Sequence, residues 1–200
     1  MGLGYDGDDY LSDFYMYNNS SGYWVAKKSF PGTPRERAAA FSIDGKAYVG
    51  VGYNRDLDTE ELSDFWMYDP DANEWTQVND FGGSARYNAI SFAIGSVGYV
   101  GTGYDGDNYN SDFWSYTPAT DTWTEIVSYP GDKLEEGTAF IINNTAYLCT
   151  GRNNGLTLSA FWSFNPESGG WTDLKPDDEE AYYDEFTDAV RRYDAFVILP

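Results

Sequence analysis

Asp64-Phe65-Trp66-Met67-Tyr68-Asp69-Pro70-Asp71-Ala72-Asn73-Glu74-Trp75 reads as a strand, a turn and the start of a returning strand. Aromatic and apolar residues fill 65–68, and Asp, Pro and Asn then supply the chemistry that reverses a chain. The same phrase recurs along the sequence. Ser12-Asp13-Phe14, Ser63-Asp64-Phe65 and Ser111-Asp112-Phe113 open it, and Ser159-Ala160-Phe161 opens a fourth copy that has lost the acid. Trp24, Trp75, Trp123 and Trp171 each stand 11 residues after position 13, 64, 112 or 160. Tyr53, Tyr104 and Arg152 stand 29 residues after the first three of those tryptophans. So even a register identifies an internal repeat, which governs every further reading of the chain.

Working outward from 64–75, each period holds four short strands. In the second copy these are 38–43, 46–53, 64–68 and 74–78, with Asp44-Gly45 as a two-residue hairpin turn between the first pair. Gly50 and Gly52 in the second strand imply close approach of neighbouring backbones near a crowded axis. A single four-stranded sheet cannot cover both of its faces, whereas radially stacked sheets can, and the class expected is an all-β propeller. The chain resembles kelch-repeat β-propellers, whose blades run about 50 residues. Tyr17/Trp24, Tyr68/Trp75, Tyr116/Trp123 and Phe164/Trp171 carry that likeness, each pair with six residues between. The kelch double glycine appears here only as Gly2-x-Gly4, Gly50-x-Gly52 and Gly101-x-Gly103. The Asp-Pro-x-x-x-x-Trp and Gly-Tyr-x-Gly-Asp style is similar to galactose oxidase-like kelch proteins of the exported Bacteroidota type. That resemblance implies a periplasmic or cell-surface protein whose leader is absent from this chain.

One domain over 1–200 is expected, with repeats at 1–35, 36–86, 87–134 and 135–192 and a closing strand at 193–200. The chain begins in the end of a second strand, at Gly2-Leu3-Gly4-Tyr5. It ends in what matches a first strand, with Phe196 corresponding to Phe41, Phe92 and Phe140. If the last strand completes the N-terminal blade, there are four four-stranded blades. The same phase also suits part of a larger propeller, or an open half that pairs as a homodimer. An eight-residue excess falls in 173–192, where eight acids accompany Tyr182, Tyr183, Phe186 and Val190 near helical spacing.

Acids number 33 and bases 12, and the net charge is −21. That balance excludes nucleic acid as a partner and disfavours anionic membranes. A chain that is 42% hydrophobic and 18% aromatic is not disordered by composition. No apolar run is long enough for a membrane span. With no histidine in the chain, a Ser-His-Asp triad and every His-ligated metal site are ruled out. The copper chemistry that the galactose oxidase resemblance would imply is ruled out as well, because it needs His ligands. Cys149 reads as a structural thiol, and no cofactor is expected.

In a four-stranded meander the loops after the second and fourth strands emerge on one face. The first group includes 6–13 and 105–112, so that face is strongly acidic and attracts cations. Asp6, Asp8, Asp105 and Asp107 are the candidate calcium ligands, since carboxylates at i and i+2 can wrap a hard cation. The competing reading makes these aspartates Asx-turns. Their glycine comes too early for an EF-hand loop, and the closing Glu is missing. Tyr10, Tyr109 and Tyr182, with Asp8 and Asp107, are the candidate ligand contacts, because the repeat does not require the loop aromatics. Asp13, Asp64 and Asp112 read as fasteners that bond loop amides, and the tryptophans as inter-blade core. The arginines show no constellation. The expected function is a non-catalytic binding or scaffold module for a protein or glycan. The alternative is a glycan-acting enzyme using an Asp/Glu pair on the same face.

Overall fold

The computed structural model describes residues 1–174, and those residues are all-β. The strands, in chain order, are β1 (Tyr15–Asn18), β2 (Tyr23–Ala26), β3 (Ala39–Ile43), β4 (Lys46–Gly50), β5 (Phe65–Asp69), β6 (Glu74–Val78), β7 (Ile90–Ile94) and β8 (Val97–Gly101). They continue as β9 (Phe113–Thr117), β10 (Thr122–Ile126), β11 (Thr138–Ile142), β12 (Thr145–Cys149), β13 (Arg152–Asn153), β14 (Leu156–Thr157), β15 (Phe161–Asn165) and β16 (Gly170–Asp173). Three antiparallel four-stranded sheets result: β3-β4-β5-β6, β7-β8-β9-β10 and β11-β12-β15-β16. The first blade contributes β1 and β2, with Gly2 bridged to Phe14 beside them. The closing strand expected at 193–200 lies outside the described residues, as does Phe196.

The repeat's register is visible as recurring cross-strand pairs. Phe41 faces Tyr48, Phe92 faces Tyr99, and Phe140 faces Tyr147, each pair stacked nearly parallel. Gly50 lies opposite Phe65 and Gly101 opposite Phe113. A Cβ at either glycine would fall inside the facing ring, so the close approach read from the sequence is a demand of packing. In the last sheet Cys149 takes that place opposite Phe161. The thiol is half-buried, and burial pushes its pKa up.

Blades join through their tryptophans. The Trp75 indole donates to Lys28 O (2.9 Å), Trp123 to Asn79 O (3.1 Å) and Trp171 to Val127 O (3.2 Å), each a carbonyl of the preceding blade. Each ring also meets the preceding strand-five-type phenylalanine edge-on: Phe14, Phe65 and Phe113, all at 5.0 Å. Such pairs add about 0.5–1.5 kcal/mol beyond area burial. Trp75 is 8% exposed, whereas Trp24, at the open end of the described arc, is 53% exposed.

Asp64 and Asp112 are fasteners, but their partner is not the loop amide that the sequence suggested. Arg35 and Arg86 are wholly buried and grip them through both guanidinium nitrogens at 2.7–2.9 Å. The arginines also donate to Thr33 O and Val51 O, and to Ser84 O and Thr102 O. A guanidinium out of water needs all of these acceptors. Trp66 and Trp114 add an indole N–H to the same carboxylates. Asp13 has no such arginine among the described residues.

Candidate functional site at the hub

The turns that end β4, β8 and β12 run beside the linkers that lead into β3, β7 and β11. Glu36 and Tyr53 exchange two backbone hydrogen bonds, as do Tyr87 and Tyr104, and Glu135 and Arg152. A second set links blade to blade: Gly4 N to Arg35 O (2.8 Å), Gly52 N to Arg86 O (2.7 Å) and Gly103 N to Leu134 O (2.8 Å). Nearest the axis, Asn88 N donates to Arg37 O (3.2 Å) and Glu136 N to Asn88 O (3.1 Å). Arg37, Asn88 and Glu136 hold φ of 57°, 52° and 57°. A left-handed backbone at Arg and Glu is sparsely populated and persists only where surroundings impose it.

This frame gathers one cluster of side chains. The Arg37 guanidinium lies over the rings of Tyr53 (5.5 Å) and Tyr87 (5.3 Å), which pack edge-on at 4.9 Å. Tyr87 continues to Tyr104 at 5.7 Å. The Asn88 amide donates to Glu135 Oε2 (2.9 Å) and to Glu136 Oε1 (3.4 Å). Arg152 Nη1 reaches the same Glu136 oxygen at 3.4 Å. Arg152 Nε is buried and has no partner among the described residues. Tyr53 donates to Glu60 Oε2 (2.6 Å), and this hydrogen bond is the main reason its hydroxyl is pushed up to about 12. Tyr87 is also pushed up to about 12, by burial first and by the Glu135 charge second. The phenols therefore stay protonated as donors, beside two arginines and a carboxylate pair. Such a set can clamp a carboxylate through guanidinium and offer carboxylates for proton transfer.

The residues singled out from the sequence are placed as follows. Tyr109 packs on Tyr104 at 4.9 Å and so borders the cluster. Tyr10 packs on Tyr5 at 4.9 Å, and its hydroxyl accepts from Arg55 N at 3.2 Å. Tyr182 lies outside the described residues. Asp6 accepts the amides of Asp8 and Asp9, and Asp105 those of Asp107 and Asn108. Those amides hold Asp6 below the usual carboxylate range; at Asp105 burial pushes up, but the amides prevail. These are Asx-turns. Among the described residues no group of three or more Asp, Glu, Cys or His is arranged to hold a metal ion. The reading that the arginines form no constellation is corrected: two staple their blades and two enter the hub. Counting back from Phe41, Phe92 and Phe140 to positions 35–37, 86–88 and 134–136 would have revealed the staple arginines and Arg37, though not Arg152.

Meander sheets arranged around a shared hub, with a tryptophan at every seam, define a kelch-type β-propeller. The model of the KLHDC2/KLHL20/DRC7 Kelch-repeats domain matches residues 3–139, and the chain belongs to the kelch-repeat family. The solved structure titled "Structure of YjhT" superposes with a TM-score of 0.72 over 84% of this chain and 60% of that one, at 19% identity. N-acetylneuraminate epimerase of Shigella boydii is 32% identical over 89 residues, 44% of this chain. The Escherichia coli K12 protein of the same name is 30% identical over a stretch of equal length. The chain spans about a quarter of the length of these relatives, which is 24%. Their naming as an enzyme overturns the expectation of a non-catalytic module. Lack of histidine removes copper and triad chemistry, but proton transfer by carboxylates needs none.

Proposed function

We propose that this propeller acts on an acidic sugar, as part of an isomerising enzyme whose reacting groups lie at the hub. The observation that supports it is the Asn88–Glu135–Glu136–Arg152 cluster beside the Arg37-capped tyrosines. An arginine with an unspent N–H suits the carboxylate of a sugar acid. Tyrosine faces suit the apolar face of a pyranose. Anomer exchange takes the proton from the anomeric hydroxyl as the ring C–O bond breaks, gives a proton to the ring oxygen, and then reverses both steps on the other face of the carbonyl. The Glu135/Glu136 pair can serve as base and acid for this without a redox cofactor.

The test follows N-acetylneuraminate anomer exchange by NMR with the purified chain. Glu136→Gln is expected to slow exchange by about 10²- to 10⁴-fold, the usual weight of one acid–base group. Arg152→Ala is expected to raise KM. Wild-type rates in both variants would sink the reading. Because the molecule carries a charge of −21, it repels an anionic substrate, and added salt is expected to lower KM.

A further inference from the structure

Blade four lacks the buried staple of its neighbours. Arg35 and Arg86 stand six residues before Phe41 and Phe92, and six before Phe140 stands Leu134. The partner acids Asp64 and Asp112 become Ala160. Both halves of the pair are lost together, and among the described residues a pocket of about 430 Å³ opens beside Ala160 and Tyr129. Its walls include Tyr129, Asp132, Ser159, Ala160, Trp162 and Asp173.

Three features make this more than a packing defect. Tyr129 replaces Phe30 and Phe81, and adds a hydroxyl. The residue is 2% exposed, and its Oη finds no hydrogen-bond partner among the described residues. Burial first, then the charges of Asp132 and Asp173, push that hydroxyl's pKa up. Asp132 stands where the other blades carry Thr33 and Ser84, and Asp173 where they carry Gln77 and Glu125. A carboxylate has thus entered position 132 in a blade that lost its cation. Trp162 also lacks the carboxylate that accepts the Trp66 and Trp114 indoles.

We infer that this cavity is a binding site for a guanidinium-bearing ligand. The neighbouring blades show how the scaffold holds such a group. The Arg35 guanidinium lies over the Phe30 ring at 5.0 Å, and that of Arg86 over Phe81 at 5.0 Å. In blade four the Tyr129 ring offers the same face, its oxygen can accept an N–H, and Asp132 supplies negative charge. Neutral polyols gain nothing from that charge, and anions are repelled by it. The site is distinct from the hub cluster and does not depend on the sugar reading.

Agmatine is the probe, titrated into the full chain while the Trp162 indole N–H resonance is followed by NMR, with glucose as the neutral control. A saturable shift with agmatine alone is expected. Asp132→Asn should weaken it at least tenfold. The double variant Leu134→Arg with Ala160→Asp rebuilds the internal pair and should abolish binding while keeping or raising the melting temperature. Absence of a saturable shift overturns the proposal, as does equal response to glucose. Undiminished binding in the rebuilt variant, provided it melts no lower than wild type, overturns it too.

Discussion

Arg86 and Asp112 show how one pair of side chains ties a linker to the head of a strand. Their geometry is bidentate and the guanidinium is buried, so removing only one partner strands a charge. Asp112→Ala is therefore expected to cost about 3–5 kcal/mol in denaturant unfolding. Arg86→Leu with Asp112→Ala copies the residues blade four already uses, and should cost less than the two single changes added together. The pair also makes stability depend on pH. Burial pushes the Asp64 and Asp112 carboxyls up, but hydrogen bonds and charge from arginine outweigh it, and both end below 3.8. The unfolded chain then binds more protons in that range. The stability from the pair is fully present above about pH 4 and is lost as pH falls through the folded values. Melts from pH 6 to pH 2 should show this loss in wild type, and a shallower one in the double variant. These roles were legible only in part. Asp64 stood out because it recurs beside Phe65, but its partner lies 29 residues earlier in a linker, and no local pattern joins the two.

In the second copy three of the four strands were readable almost residue by residue. β3, β5 and β6 fall within a residue of the segments expected around Asp44-Gly45 and Asp69-Pro70. The second strand was read too long: β4 stops at Gly50, because Val51 turns left-handed at φ 48° and directs Gly52 and Tyr53 into the hub. A β-branched residue with positive φ gives no advance signal. Within the strands, the tightest constraint sits under the phenylalanines. Gly101→Ala would drive a methyl into the Phe113 ring and is expected to destabilise by about 1–3 kcal/mol, read from the shift of the urea midpoint. By contrast Gly95→Ala, in a hairpin turn with open space around it, meets only the strain of its φ of 58°.

At the scale of the molecule, repetition reports architecture well and chemistry poorly. The tryptophan spacing led to the propeller because every blade needs the same seam. The hub cluster was missed because it is built from what differs between blades: Arg37, Asn88 and Glu136 hold one backbone position with three chemistries. Charge is the other molecular property. With 33 acids against 12 bases, folding concentrates like charge. The melting temperature is expected to rise by several degrees between 10 mM and 500 mM NaCl, since surface repulsion is screened more than the buried arginine pairs. A fall would mean that the exposed ion pairs, such as Lys46–Asp69, outweigh the repulsion.

The left-handed trio at the axis has an evolutionary corollary. Its main-chain atoms carry the fastening, Glu136 N donating to Asn88 O and Asn88 N to Arg37 O, so that link does not depend on which side chains stand there. Such a socket can swap its pins without being rebuilt. Descendants of this fold could trade basic, neutral and acidic groups there and come to prefer a new cargo, with the surrounding architecture inherited intact.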